Sequence, residues 1–360
     1  MDGQISMKAL NFTNFLEQGA LLRVSANQWF LLQGPFTQKS EIMEGEVALF
    51  HPDFFAEPNA NYWIPETFYR LTDHDLEHLC ADFHKSLLAP MSWQGADLQS
   101  FSSSFNSILK QIQAGTLNKA VPIVFEKSTE ILGPQRLAAM IQALIKAPTN
   151  LYVFGFWQKG QGILGATPEV LLRQSGQHLT TMALAGTCPK SETATRSSLL
   201  EDPKERHEHD LVVQDILQSL RHYGHVQAHE TQVMELPTLF HLKTDIDCEL
   251  PVGQSFSFLK ACQALHPTPA LGVSPRSFDY QWMKTLPEQK GRGGFGAPWG
   301  LQWSREEALC LVAIRNIQWS AAGSRIGSGC GIVAQSDLQQ EWRELSHKRQ
   351  SVKKVLGLES

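Results

Sequence analysis

The 360-residue chain contains no C-x-x-C pair; its six cysteines, Cys80, Cys188, Cys248, Cys262, Cys310 and Cys330, are scattered. That spacing offers neither a disulfide framework nor a thiolate zinc site, and it suits a reducing compartment. Long apolar runs are also missing. The longest aliphatic stretch, Ala308 to Ile314, is far too short to span a bilayer. The N-terminus, MDGQISMKALNFTNF, lacks the basic-then-apolar order of a secretory leader. The expectation is a cytoplasmic protein without a membrane partner. Basic excess is absent too: the formal net charge is −5 with His neutral, which argues against nucleic acid or anionic lipid. What remains is an ordinary globular composition, 42% apolar and 19% charged. The length suffices for one large domain or two ordinary ones. No internal repeat, low-complexity tract or linker divides it, so one large domain, acting as a monomer, is expected.

Residues 1–96 read as short strands and turns: LLRVSANQWFLLQG, EVALF, then a Pro- and Asn-rich loop, PDFFAEPNANYWIP. No catalytic constellation stands out there. From residue 97 the pattern changes. Leu98, Phe101, Phe105, Ile108, Leu109 and Ile112 recur at threes and fours, which predicts a helix over 97–114 stopped by Gly115. Strand-like runs follow in KAVPIVF, LYVFGFW, EVLLR and LTTMALAG. A helix is predicted from Ser198 to Tyr223, then strands ALCLVAIRNIQW and RIGSGCGIV. A final helix is predicted from Ser336, with Gln339 completing a capping box, to about Leu356. Many strands with irregularly interspersed helices point to the α+β class.

Two carboxylate pairs carry the first chemical signal. Glu205 and Glu208, like Glu341 and Glu344, are spaced i, i+3, so each pair shares a helix face, and Lys348 extends the second face. A solvated, salt-bridged surface has the same pattern. Here Val212 and Ile216 lie beside Glu208, and Trp342 and Leu345 flank the second pair, so the faces read as partly buried. Buried carboxylates need a cation, and Mg²⁺ suits a site of one or two carboxylates completed by water and an anionic substrate. The triplet His207-Glu208-His209 is a poor zinc motif, because i and i+2 diverge on a helix.

Lys119 enters an apolar strand, where desolvation can make an amine a usable base. Glu169 follows the stiff turn Gly165-Ala166-Thr167-Pro168, where burial can make a carboxyl a usable acid. The segments Gly327-Ser328-Gly329-Cys330-Gly331 and Gly291-Arg292-Gly293-Gly294-Phe295-Gly296 match no nucleotide-binding fingerprint. They allow backbone N–H groups close approach to an anion. Arg315, late in an apolar strand, can grip a carboxylate or serve a structural salt bridge.

In order, GATPE, LAGT, DPKERHEH, HPTPALG, AIRN, GSGCGIV and EWRELSHK resemble the chorismate-utilising enzymes over about residues 100–357. Among these the chain looks most like the isochorismate synthases of menaquinone or siderophore pathways. The resemblance implies large antiparallel sheets packed as a sandwich with outer helices. Residues 97–360 would form the chorismate-binding catalytic region, and residues 1–96 a weakly matched, strand-rich part of the same fold. It further implies Mg²⁺ on Glu208 and Glu344, supported by Glu205 and Glu341, and bound to the ring carboxylate of chorismate. Gly186, Thr187, Gly329, Gly331 and Lys348 would position that end, Arg315 would bind the enolpyruvyl carboxylate, and His266 would lie beside the ring. Lys119 would activate water for attack at C2, and Glu169 would protonate the departing C4 hydroxyl. Ala185, where aminating relatives often carry a nucleophilic lysine, disfavours those branches. Phe295, often Tyr in the family, and the order Phe295-Gly296-Ala297 are departures. A salicylate synthase, or a chorismate-binding subunit without turnover of its own, are the alternatives.

Overall fold

The computed structural model describes residues 10–56, 62–81, 88–190, 196–236, 239–253 and 256–359. Part of the loop PDFFAEPNANYWIP lies outside them. The N-terminal third comprises α1 (Phe12–Glu17), β1 (Gly19–Ser25), β2 (Gln28–Gln33), β3 (Thr37–Lys39), β4 (Ala48–Phe50), β5 (Tyr62–Ile64), β6 (Thr67–Leu71), α2 (Asp73–Ala81) and α3 (Leu98–Gln113). The middle comprises β7 (Lys119–Ala120), β8 (Ile123–Ser128), α4 (Pro134–Ile145), β9 (Tyr152–Gln158), β10 (Gln161–Thr167), β11 (Val170–Ser175), β12 (His178–Pro189), α5 (Arg196–Glu201) and α6 (Pro203–Leu220). The remainder comprises β13 (His225–Ala228), β14 (Gln232–Glu235), β15 (Leu239–Glu249), α7 (Phe258–Leu265), β16 (Val273–Ser274), β17 (Pro298–Gln302), β18 (Glu307–Val312), β19 (Asn316–Ser320), β20 (Gly323–Gly329) and α8 (Leu338–Val355).

Two large antiparallel sheets dominate. The first has eight strands in the order β6-β2-β1-β9-β10-β19-β20-β8; the second has ten, ordered β13-β15-β12-β11-β18-β17-β4-β5-β3 with β14 pairing β15. Alternation along the strands decides which side chains meet. In β10, Ile163 joins a core with Leu22, Phe154, Trp299 and Leu309 drawn from both sheets. Its neighbour Leu164 points the other way, into a core with Leu137 and Ile141 of α4 and Val352 of α8. The outer face of the second sheet is covered by α6 and α7 through Val212, Ile216, Phe258 and Cys262. The result is a sandwich with outer helices. Each large apolar side chain fully withdrawn from water contributes about 1.5–3 kcal/mol.

The first 96 residues are woven into both layers, since β1 pairs β9 and β4 pairs β17. That part also contains the helices α1 and α2, which the reading as strands and turns left out. Three other expectations change. The predicted helix from Ser198 is two helices, because Asp202 caps α6 through Lys204 N and Glu205 N, and Pro203 occupies its first turn. The final helix is capped by Asp337, which accepts from Gln339 N and Gln340 N, while Ser336 Oγ instead accepts from Val333 N. The run ALCLVAIRNIQW is two strands. β18 belongs to one sheet and β19 to the other, and the chain crosses at Ala313–Arg315, where Arg315 takes a φ of 55°.

Candidate active site

The same crossing occurs between β10 and β11, and Pro168 and Glu169 form its corner. The two corners are tied together: Ala166 N donates to Arg315 O at 3.2 Å, and Val312 N donates to Glu169 O at 3.1 Å. Glu169 and Arg315 therefore lie side by side where the chain switches sheets. They line one cavity together with Thr187, Glu208, His241, Phe295, the strand end Gly327–Gly331, Glu344 and Lys348.

Helices α6 and α8 each present one acid to this cavity. Glu208 of α6 meets Lys119 Nζ at 2.8 Å, and Glu344 of α8 meets Lys348 Nζ at 2.5 Å. Behind them, Lys204 Nζ bridges Glu205 and Glu341, each at 3.0 Å, and so joins the two helices. Glu205 is also reached by the Thr187 N–H at 2.7 Å. That N–H is aimed by a bulge in β12, where the register against β15 shifts between Ala185 and Thr187. Gly186 takes up the extra residue with a φ of 76°, a conformation that favours glycine.

Burial dominates the electrostatics. It pushes the Glu169 carboxyl up to about 8, against the opposing pull of Lys119 and Lys348. It also raises Glu205 to about 7, helped by the adjacent charge of Glu208 and opposed by Lys204. Glu341 is raised by burial and by Glu344. Glu208 goes the other way: burial would raise it, but Lys119, with help from Lys204 and Lys348, holds it below the ordinary carboxylate value. Arg315 is lowered to about 10 by burial, with Glu344 pulling it back, and remains a cation at neutral pH. Lys119 is fully buried, and among the described residues its Nζ has no well-angled hydrogen bond despite the close Glu208 oxygen. Such an under-satisfied buried donor calls for a functional reason.

Hard oxygen donors of this kind could hold Mg²⁺. Four carboxylates on two helices repel one another, and their donors are hard oxygens. Among the described residues no group of three or more His, Cys, Asp or Glu side chains is placed to hold a metal ion. An ion that keeps waters and shares substrate oxygens is the kind such an open set would hold, with Glu208 and Glu344 nearest the cavity.

Residues 65–357 match the family model described as chorismate binding enzyme. The chain belongs to that family. It is similar to the vibriobactin-specific isochorismate synthase of Vibrio cholerae, 27% identical over 311 residues, which spans 83% of this chain and 76% of that protein. It is 35% identical over 207 residues to the isochorismate synthase EntC of Escherichia coli, covering 55% of this chain and 52% of the relative. Its fold resembles the menaquinone-specific isochorismate synthase MenF from Escherichia coli, with a TM-score of 0.80 at 21% identity over 97% of this chain and 92% of that one. Anthranilate synthase component I from Streptococcus pneumoniae shares the fold at a TM-score of 0.70 and 16% identity over 98% and 94% of the two chains.

Of the residues singled out in the sequence, Lys119, Glu169, Thr187, Glu205, Glu208, Arg315, Gly329, Gly331, Glu341, Glu344 and Lys348 gather at or directly behind this cavity. His266 does not line it. It ends α7, its Nε2 faces Phe54 O at 2.9 Å, and its ring packs edge-on to Phe54 at 4.8 Å. Ala270 and Leu271, from the same HPTPALG segment, reach the cavity instead. His209 is taken up structurally by Ala185 O and Thr244 Oγ1. The residue that sequence reasoning missed is His241 of β15. Its Nδ1 meets Thr187 Oγ1 at 2.9 Å, while Nε2 is buried without a partner among the described residues. Burial, with Arg315 and Lys348 nearby, keeps it well below the ordinary imidazole value and thus neutral. A lone histidine in an apolar strand carries no local signal; only its β15 register opposite Thr187 gives it a site.

Proposed function

We propose that the protein is a Mg²⁺-dependent isochorismate synthase that converts chorismate to isochorismate. The observation that carries this reading is Glu169, a buried carboxyl held at a sheet-switching corner within the influence of Lys119 and pushed by burial up to about 8. Isomerisation needs a proton donor for the departing C4 hydroxyl and a base for the water that attacks C2. Glu169 is suited to the first role; Lys119, a cation against Glu208 in this structure, takes the second in its deprotonated form. The ring double bonds shift as the C–O bond at C2 forms and that at C4 breaks, so the net change is an exchange of hydroxyl positions. Arg315 offers most of its guanidinium fork without a protein acceptor among the described residues, and it would hold the enolpyruvyl carboxylate. Lys348 and the N–H groups of the Gly329–Gly331 strand end would orient the ring carboxylate. Bound at Glu208 and Glu344, Mg²⁺ would neutralise that ring carboxylate.

The decisive test is product analysis after incubation with chorismate, with Mg²⁺ or with a chelator. The expected result is isochorismate with Mg²⁺ and none with chelator. Salicylate with pyruvate would reassign the enzyme, and chorismate binding without turnover would leave only a binding protein.

The pH dependence follows from Glu169. As general acid it must carry a proton, so kcat is expected to fall as pH rises through about 8. Its folded value lies above the ordinary carboxylate value of 4.5, so its contribution to stability is complete below that value and is lost as pH rises through about 8. Glu169→Gln is expected to lose about 10²–10⁴-fold in kcat. The same variant should flatten the decline in stability over that window, measured by urea unfolding at stepped pH. A variant that kept both wild-type turnover and the wild-type pH profile would remove Glu169 from the mechanism.

A further inference from the structure

Helix α8 carries Glu341, Glu344 and Lys348, so its seating on the first sheet decides where those groups stand. Beside the apolar packing of Leu345 and Val352, two consecutive polar residues anchor that seating. Lys348 Nζ donates to Gly329 O at 2.8 Å, and Arg349 NH1 donates to Ser328 Oγ at 2.6 Å. Arg349 Nε also donates to Glu126 Oε1 of β8 at 2.8 Å, and Lys353, one turn on, pairs with the other oxygen of Glu126. The β8–β20 register sets Glu126 opposite Ile326, two residues from Ser328, so acid and hydroxyl share the face that α8 covers. Arg349 is 3% exposed, and its guanidinium lies 5.7 Å from the Trp342 ring centroid.

We infer that Arg349 is a positioning residue: by gripping Ser328 on β20 and Glu126 on β8 at once, it fixes the register of α8 and holds Glu344 and Lys348 at the cavity. The rigid planar fork matters, because one ammonium cannot reproduce donors directed at two strands. Glu126 keeps Lys353 if Arg349 is lost, so its charge is not stranded and the fold persists. Ser328 keeps no such substitute among the described residues. The role rests on the proposed isochorismate synthase activity only for its kinetic readout.

The test compares Arg349→Met, Arg349→Lys and Ser328→Ala with Lys353→Met, which removes a Glu126 contact without touching Ser328. The full chain is used, with chorismate and Mg²⁺ for kinetics and without ligands for hydrogen exchange across residues 327–331. Arg349→Met is expected to lower kcat by about 10²-fold, the scale of an ångström-sized misplacement. It should also speed exchange across that strand end. Arg349→Lys should recover thermal stability but not kcat, and Ser328→Ala should share the kinetic loss. Lys353→Met should lower stability while leaving kcat and exchange near wild type. If the Arg349 and Lys353 variants behave alike in exchange, the positioning role is overturned. If wild type itself fails to convert chorismate, the functional reading falls, while the exchange comparison still decides Arg349.

Discussion

Lys119→Ala is expected to abolish measurable isochorismate formation, a loss of about 10²–10⁴-fold from the missing base alone. Stability should fall as well. Lys119 is fully buried and faces Glu208 at 2.8 Å, and Glu208 is kept ionised chiefly because that cation offsets its burial. Removing one member of a buried pair costs about 3–5 kcal/mol, since the other charge is left without compensation. The two effects separate in a double variant. Lys119→Met with Glu208→Gln removes both charges, so urea unfolding should show much of the stability restored while product formation stays absent. Undiminished turnover in Lys119→Ala would eliminate the proposed base. A double variant no more stable than Lys119→Met alone would show that the pair is not coupled.

Gly331→Ala should be nearly as severe, though it adds a single methyl group. A Cβ at Gly331 would stand 2.2 Å from Glu208 Oε1 and 2.6 Å from Lys119 Cε, inside van der Waals contact with both members of the pair. Lys119 is enclosed, and Glu208 relieves the overlap only by turning into the cavity and away from Lys119. Overpacking of this kind costs about 1–3 kcal/mol. Displacing a base by about an ångström costs on the order of 10²-fold in rate. Gly329→Ala is the comparison: its Cβ would meet Ile123 and Val121 at 3.2 Å and leave the ion pair untouched. Steady-state kinetics should show a much larger fall in kcat for Gly331→Ala than for Gly329→Ala. Equal effects would mean that general crowding of the strand end, rather than the Lys119–Glu208 pair, governs the rate.

Much of this site was legible in the chain because its parts are local. A carboxylate pair at i, i+3 shares a helix face wherever the helix lies, and Pro168 stiffens the approach to Glu169 in any context. The limits of that legibility are equally physical. ALCLVAIRNIQW reads as one strand because its apolar pattern is continuous, yet it bends between sheets at Arg315. That bend needs a φ of 55° at a non-glycine residue, which local propensity disfavours and tertiary contacts enforce. His266 attracted attention through its motif, whereas His241, inconspicuous in β15, is the histidine that meets Thr187.

The sequence by itself determined the α+β class, the carboxylate faces of α6 and α8, and the candidate pair Lys119 and Glu169. Those depend on residue type and short spacing. Only the tertiary structure decided that Glu208 answers Lys119 and that Lys204 bridges the two helices. It alone shows Arg349 reaching across two strands, and both sheet-switching corners opening on one cavity. These contacts join residues far apart in the chain, and burial sets their charge states; neither distance nor desolvation exists until the sheets close on each other.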